Sequence, residues 1–265
     1  MISRALDARA GELARRYQFK ERLKWLLFPG VNLHTRDRYR RLPPKLGRGD
    51  RSRLVLDAGC GNGMLAYQAW LRGNRVVGVT FHEHEATSCR RLFHDHLRVP
   101  PSELDFRLAN LKEVDKLRDE IGPFDEIVCT EVIEHIRDDK GVCEAFFRVL
   151  EPGGILHLTT PNAEHPYNAT FPLDLDEGGG HVRAGYTQAS FRALLEPIGF
   201  VIEGFEGLGG PIRQAFSSRI KSTQERFGTI AGFPVFVLSL PALPFDDDDP
   251  AVPFSIYVRA RKPST

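Results

Sequence analysis

Val55-Leu56-Asp57-Ala58-Gly59-Cys60-Gly61-Asn62-Gly63 is an apolar run that closes on an acid and then breaks into three glycines at alternating positions. A short apolar run bounded by turn residues reads as a buried strand, and glycine removes the side chain where a backbone must turn sharply and come close to a ligand. The stretch therefore reads as a strand over Arg53 to Leu56, a glycine loop, and a helix from Gly63 to Leu71. Strand, loop, helix is the opening of a βαβ unit.

Downstream the pattern repeats. Arg75 to Val79 reads as a second strand, His84 to Leu97 as a helix ended near Pro100-Pro101, and Phe106 to Leu108 as a third strand. Asp115 to Glu120 reads as a helix, and Phe124 to Thr130 as a fourth strand whose unbroken apolar run suits a sheet covered on both faces. Lys140 to Leu150 is a helix closed by Pro152-Gly153-Gly154, and Ile155 to Thr159 a fifth strand. A helix over Ser190 to Leu195 leads through Gly199 to a sixth strand, Phe200 to Phe205. Phe254 to Ala260 alternates as a last strand, most simply antiparallel to the sixth. The fold class is α/β: a Rossmann-like, doubly wound, mostly parallel sheet with an antiparallel last strand.

Around this core, residues 1–52 form a basic helical N-terminal extension. Leu6, Leu13, Ala14, Tyr17, Leu23, Leu26 and Leu27 keep helical spacing up to Pro29-Gly30, and a second basic helix over Leu33 to Leu42 stops at Pro43-Pro44. Residues 53–207 are the core, 208–253 a helical and apolar insertion expected to form the acceptor pocket, with a helix over Arg213 to Arg226, and 254–265 the final strand and tail.

With 265 residues and 42% hydrophobic content the chain can bury a large core, which disfavours a disordered or fibrous protein. No run of about 18 apolar residues occurs and the first residues lack the apolar core of a secretory signal, so a cytoplasmic location is expected. The four cysteines, Cys60, Cys89, Cys129 and Cys143, show no CxxC spacing and read as reduced and structural. Residues 1–53 hold 15 Lys/Arg against 5 Asp/Glu, although the whole chain is only +1. That basic part, with Trp25, Phe28 and Tyr39 interleaved, leaves peripheral membrane contact open.

In open parallel sheets ligands bind beyond the carboxyl ends of the strands, where strand order reverses, which makes the first glycine loop the place to look. A dinucleotide fingerprint would need glycine at Met64, whereas the spacing here is GxGxG after Asp57. An acid at that position suits an ammonium group, not a pyrophosphate, and favours S-adenosyl-L-methionine over NAD.

With this loop stand Thr130-Glu131-Val132-Ile133-Glu134-His135-Ile136 after strand four, Leu150-Glu151-Pro152-Gly153-Gly154, and His181 to Thr187 before Phe191 to Phe200. On these motifs, over residues 33–205, the chain resembles the class I S-adenosylmethionine-dependent methyltransferases, specifically the ubiquinone-biosynthesis O-methyltransferase type. The resemblance implies a seven-stranded sheet, a cofactor lying across the ends of strands one, two and four and leaving as S-adenosyl-L-homocysteine, and no metal. It assigns Asp57, Gly59, Cys60, Gly61 and Gly63 to the cofactor's amino-acid end, Asn110 and Leu111 to the adenine, and Thr130 and Glu131 to the methyl end. An arginine before strand one reaches the cofactor carboxylate in this family; Arg40 aligns best and Arg38 next. The acid that takes the ribose hydroxyls is replaced by Thr80, with Glu83 and Glu85 close by and Phe81 placed to pack on the adenine.

A sulfonium methyl is already activated, so the protein must align an acceptor and remove its proton. His135 is the first candidate base, oriented by Glu131 four residues earlier if that turn is helical. His181, in the glycine-rich stretch Gly178 to Arg183, is the second, and imidazole suits the task with a pKa of about 6.5. For each histidine a capping or packing role is the alternative. His82-Glu83-His84-Glu85 and His94-Asp95-His96 lack the i, i+4 histidine pair of a helical metal site, and Asp246 to Asp249 lacks the EF-hand spacing and reads as a solvated loop.

The expected function is methyl transfer to a small-molecule acceptor, anionic or carrier-bound among the options, at a hydroxyl of a phenol, quinol or natural product. A sugar or polysaccharide acceptor and a non-catalytic cofactor-binding regulator are the alternatives. Nucleic acid is not expected, because Thr130-Glu131-Val132-Ile133 stands where amino-methylating nucleic acid enzymes carry Asn/Asp-Pro-Pro-Tyr.

Overall fold

The computed structural model describes residues 29–174, 177 and 179–264. The helix expected over 5–28, with Trp25 and Phe28, lies outside the described residues, as does Gly178.

In chain order the elements are α1 (Leu33–Arg41), β1 (Leu54–Ala58), α2 (Met64–Leu71), β2 (Arg75–Thr80), α3 (Glu83–Arg90), β3 (Leu104–Leu108), α4 (Asp115–Ile121), β4 (Phe124–Thr130), α5 (Asp139–Val149), β5 (Leu150–Pro161), the short α6 (Pro166–Ala169), α7 (Gln188–Leu195), β6 (Val201–Leu208), α8 (Pro211–Phe227), α9 (Gly232–Ser239) and β7 (Ser255–Arg261). The strands form one seven-stranded sheet in the order β3-β2-β1-β4-β5-β7-β6. β1 pairs in parallel with β2 and β4, β2 with β3 and β4 with β5, while β7 is antiparallel to both β5 and β6. The last strand is thus the antiparallel neighbour of the sixth, and it is also wedged between the sixth and the fifth. The expected α/β sheet is present, with strand order reversing between β1 and β4.

All five residues of β1 are buried. Its alternating side chains divide between two cores: Leu54, Leu56 and Ala58 join Ile127, Phe146 and Phe191 on one face, while Val55 joins Tyr67, Phe93 and Phe106 on the other. Burying each such large apolar side chain contributes about 1.5–3 kcal/mol. Gly63 caps α2 in the left-handed region at φ 73°, and a Cβ there would meet Phe106 at 2.7 Å and Phe93 at 2.8 Å. The glycine is therefore required by its backbone and by its neighbours.

Several boundaries differ from the sequence reading. β1 runs two residues further, which places Asp57 inside the strand. The helix after His82 is α-helical only to Arg90 and continues as a π-turn over Arg91–His96. β5 begins at Leu150, because Leu150 already pairs with Phe124 before a register irregularity carries the strand past Gly153.

α8 packs on α1, and charge holds them together. Asp37, buried on α1, lies 3.5 Å from Arg213 on α8, which bonds Asp246 at 2.6 Å. Asp246 also accepts the Ile212 and Arg213 N–H groups at 2.8 and 3.2 Å, capping the start of α8. Asp248 accepts from Arg40 at 2.9 Å. Asp246 is thus a helix cap and, with Asp248, an ionic clamp, while Asp247 to Asp249 lie exposed on a loop, so the solvated-loop reading is corrected for Asp246 only.

The same pairing absorbs much of the basic stretch. Arg38 pairs with Glu131, Arg41 and Lys45 with Glu206, Arg51 with Glu103 and Arg53 with Glu126. Among the described residues no helix is long and apolar enough to cross a membrane.

Candidate active site

A cavity of about 440 Å³ opens at the carboxyl ends of β1, β2 and β4. Of the residues singled out in the sequence, Gly59, Gly61, Thr80, Phe81, Asn110, Leu111, Glu131 and His135 line it. The topology explains why: β1 is central, and the loops leaving its end and those of its neighbours converge at the reversal point.

The glycine loop is fastened by its own backbone hydrogen bonds. The Gly59 and Cys60 N–H groups donate to the Val79 carbonyl at 2.9 and 2.8 Å, and the Gly63 N–H donates to Cys60 O at 2.8 Å. Gly59 sits at φ 79° with its α-carbon against Val132, so the loop and the turn after β4 are in contact. Cys60 and Gly63 support this loop from behind and are absent from the cavity wall; Cys60 is buried with its thiol raised by the neighbouring Cys89 thiol and by burial. All four cysteines are free and buried.

Asp57 lies buried at the base of the loop, and its Oδ2 has no hydrogen-bond partner among the described residues. Burial strips its carboxyl of water and pushes its pKa up to about 7, against the pull of the Ala66 N–H. An ammonium group needs the carboxylate form. Binding therefore expels a proton below that pKa, and affinity for S-adenosylmethionine is expected to rise roughly tenfold from about pH 5.5 to pH 7. Calorimetry at the two pH values checks this; Asp57→Asn should flatten the rise, and a flat wild-type profile would contradict the role.

At the ribose position, the Thr80 hydroxyl donates to Glu85 Oε2, and Thr80 Oγ1 accepts the His82 N–H at 3.2 Å. Glu85 lines the cavity, whereas Glu83 faces outward toward Arg90 and Thr87. The first turn of α3 thus brings a carboxylate to the end of β2. Phe81 is 73% exposed on the cavity wall, with the His82 ring edge-on to it. Asn110, on the cavity wall, caps the following turn by accepting the Lys112 N–H at 3.0 Å on its Oδ1.

The methyl end carries the largest departures from expectation. Arg40 is 55% exposed and pairs with Asp37 and Asp248, away from the cavity. Arg38, 15% exposed, reaches Glu131 at 3.1 Å instead. The helical phase of α1 is set by the clamp to α8, so the second-ranked arginine is the one that reaches a residue of the cavity wall. Thr130 ends β4 outside the cavity wall. Glu131 takes φ 53°, a left-handed conformation unusual for a side-chain residue, while its N–H donates to Thr159 O at 2.8 Å. That kink replaces the expected α-turn by a short 3₁₀ turn, Ile133–His135. Glu131 and His135 therefore do not share a helical face.

His135 is oriented by a backbone group. Its Nδ1 lies 2.9 Å from Gly180 O, and since a carbonyl only accepts, Nδ1 carries the proton and Nε2 is the basic atom. His181 meets the His135 ring edge to face at 4.7 Å, and burial lowers its pKa, helped by the neighbouring His135. Glu134, unremarked in the sequence, is fully buried behind them, 3.9 Å from His135 Nε2. The resemblance implies no metal, yet Glu134, His135 and His181 each bring one ligand atom within 4.8 Å of the others.

Arg183 pins the segment carrying His181. It donates to Ile133 O at 2.8 Å and to Arg137 O at 2.9 Å, and pairs with Asp139 at 2.9 Å. Of the residues the sequence reading missed, Glu134 was visible only as the middle acid of Ile133-Glu134-His135, where nothing in the spacing marks it as buried.

Residues 56–158 match the sequence family described as "Methyltransferase domain". A ubiquinone biosynthesis O-methyltransferase of Chromobacterium violaceum is 27% identical over 171 residues, 62% of this chain and 71% of that protein. Its counterpart from Dechloromonas aromatica is 32% identical over 108 residues, 41% of this chain and 44% of that protein, so less than half of the latter is spanned. Among solved structures, phosphoethanolamine N-methyltransferase 2 of Haemonchus contortus in complex with S-adenosyl-L-methionine superposes with a TM-score of 0.56 at 19% identity, covering 88% of this chain and 52% of that one, a likeness of fold. Residues 56–158 thus carry the sequence pattern of a methyltransferase domain, on a fold shared with solved methyltransferases.

Proposed function

We propose that this chain, built on a class I methyltransferase domain, moves the methyl group of S-adenosylmethionine to a hydroxyl oxygen of a small-molecule acceptor. The observation that supports the reading is His135 on the cavity wall, held through Nδ1 by Gly180 O so that Nε2 is its basic atom. The acceptor O–H gives its proton to the histidine side of the cavity while its oxygen attacks the methyl carbon. The C–O bond forms as the S–C bond breaks, its electron pair returns to sulfur, and neutral S-adenosylhomocysteine leaves. The relatives named for ubiquinone O-methylation support a phenol or quinol.

A second cavity of about 230 Å³ lies between α1 and α8, walled by His34, Tyr167, Gln214, Ser217, Ser218 and Lys221. His34 is one helical turn from Arg38 on α1, stacks on Phe254 at 3.8 Å, and stays neutral because burial lowers its pKa to about 4. This supports the expectation that residues 208–253 contribute to acceptor binding, with Lys221 as the charge for an anionic group. The hydroxyls of Ser217 and Ser218 favour a sugar acceptor as the second reading.

The test is calorimetry with S-adenosylmethionine and S-adenosylhomocysteine, with NADH as control, followed by a methyl-transfer screen over phenols, quinols and nucleotide sugars. Heat with both cofactor forms and turnover on a phenol or quinol is the expected result. No heat with either form at about millimolar concentration, where even a weak complex forms, sinks the methyltransferase reading. Heat without any transfer points to the regulator, and transfer to nucleotide sugars alone to the sugar enzyme.

A further inference from the structure

The second cavity, between α1 and α8, has the make-up of a small-molecule site. Its wall combines two aromatic rings, Tyr167 and Phe254, 6.0 Å apart, with the hydrogen-bonding side chains Gln214, Ser217, Ser218 and Lys221. Apolar faces with a few placed polar groups are typical of ligand pockets, and at about 230 Å³ this one falls below the roughly 300 Å³ at which pockets for drug-sized ligands begin, so it suits a single ring.

Its polar groups have hydrogen bonds to give. Ser217 Oγ is buried without a partner among the described residues, a cost that a ligand hydroxyl would remove. His34 Nε2 lies 2.9 Å from Gln214 Oε1, and since His34 is neutral and an amide oxygen only accepts, Nε2 carries the proton. That bond orients the Gln214 amide with its NH₂ group toward Ser218 Oγ, 3.4 Å away and too far for a strong bond. Lys221, exposed, donates to Tyr167 OH at 2.7 Å and stands 5.5 Å from the centre of that ring, with Glu225 3.9 Å away.

We propose that this cavity is a subsite for a single sugar ring bearing an acidic group, a hexose phosphate or a hexuronate. A sugar offers hydroxyl edges to Ser217, Ser218 and Gln214 and C–H faces to the aromatic rings, and its acidic group meets Lys221 in a charge-assisted hydrogen bond. A bare anion would leave Ser217 and Gln214 unused, and a neutral sugar would make no use of the lysine.

The walls of the two cavities are joined at two points. Arg38, one turn beyond His34 on α1, reaches Glu131 of the first cavity at 3.1 Å. Phe254 O accepts the Asn162 N–H at 2.9 Å just beyond β5, while Thr159 O, within β5, accepts the Glu131 N–H at 2.8 Å. A sugar held here therefore belongs to the acceptor, whose reacting hydroxyl enters the first cavity. Only this last step rests on the methyl-transfer reading; the binding of the sugar does not.

The experiment is calorimetry on the full chain with glucose 6-phosphate, glucuronate, glucose and inorganic phosphate as probes. Glucose 6-phosphate and glucuronate should bind at least about tenfold more tightly than glucose or phosphate alone. Lys221→Met should bring glucose 6-phosphate back to the level of glucose, and Ser217→Ala should weaken the sugars about fivefold or more while leaving phosphate as it was. Both variants should melt as the wild type does and keep the heat with S-adenosylmethionine, which locates the loss in this cavity. No binding of any probe up to about 10 mM, phosphate binding as tightly as glucose 6-phosphate, or both variants binding like the wild type overturns the subsite. Glucose 6-phosphate should also inhibit methyl transfer in competition with the acceptor and not with S-adenosylmethionine; binding without such competition overturns the link to the acceptor. The calorimetry needs no turnover, so a protein without methyl transfer still decides the subsite.

Discussion

Gly63→Ala is expected to lower the unfolding free energy by about 2–5 kcal/mol, a large share of the stability of an ordinary domain. Two costs combine. The residue sits at φ 73°, where a side chain crowds its own backbone, and a Cβ would press into Phe106 and Phe93, both buried and packed against each other at 5.2 Å. Neither ring can retreat without disturbing the core on that face of β1. Gly61→Ala provides the contrast: at φ 50° with nothing within 4 Å of its Cβ, it should lose only about 1–2 kcal/mol. Denaturant unfolding of the two variants checks the pair, and equal losses would show that strain alone sets the cost.

His135→Ala should lower turnover by about 10²–10⁴ while leaving cofactor affinity nearly intact, as expected of a proton acceptor. The residue lines the cavity on the turn after β4, whereas the groups proposed to hold the cofactor's amino-acid end, ribose and adenine are Asp57, Glu85 and Asn110. Single-turnover kinetics with saturating S-adenosylmethionine, beside calorimetric affinities, separate the two effects. A variant with undiminished turnover would remove His135 from the chemistry.

The strands and the glycine loop were legible because their signals are local. An unbroken apolar run such as Phe124 to Thr130 has few other fates in a chain of this composition, and its bounds came out as read. What failed depended on partners distant in sequence. Arg40 was preferred to Arg38 by alignment, yet the phase of α1 is decided by Asp37 meeting Arg213 and by Arg40 meeting Asp248. The pairing of Glu131 with His135 presumed a helix, while the Glu131 N–H is claimed by Thr159 on β5. Thr80 looked like a position without an acid, and only the start of α3 brings Glu85 against it. Glu134 gave no sign at all, since burial of a charged residue is a property of the assembled walls.

The position of β7 has a consequence for the order in which this protein can be made. β6 meets the sheet only across β7, and Ile155 on β5 pairs with Arg261 on β7, which in turn pairs with Val201 on β6. A ribosome therefore releases β6 long before it has anywhere to dock. Until residues 255–261 emerge, the β5 edge stays bare and the β6 hairpin partner is missing. Such long-range closure is slow, and it ties completion of the sheet to the end of synthesis of this segment. Nascent chains stalled before residue 255 should thus be the species that chaperones hold and proteases cut.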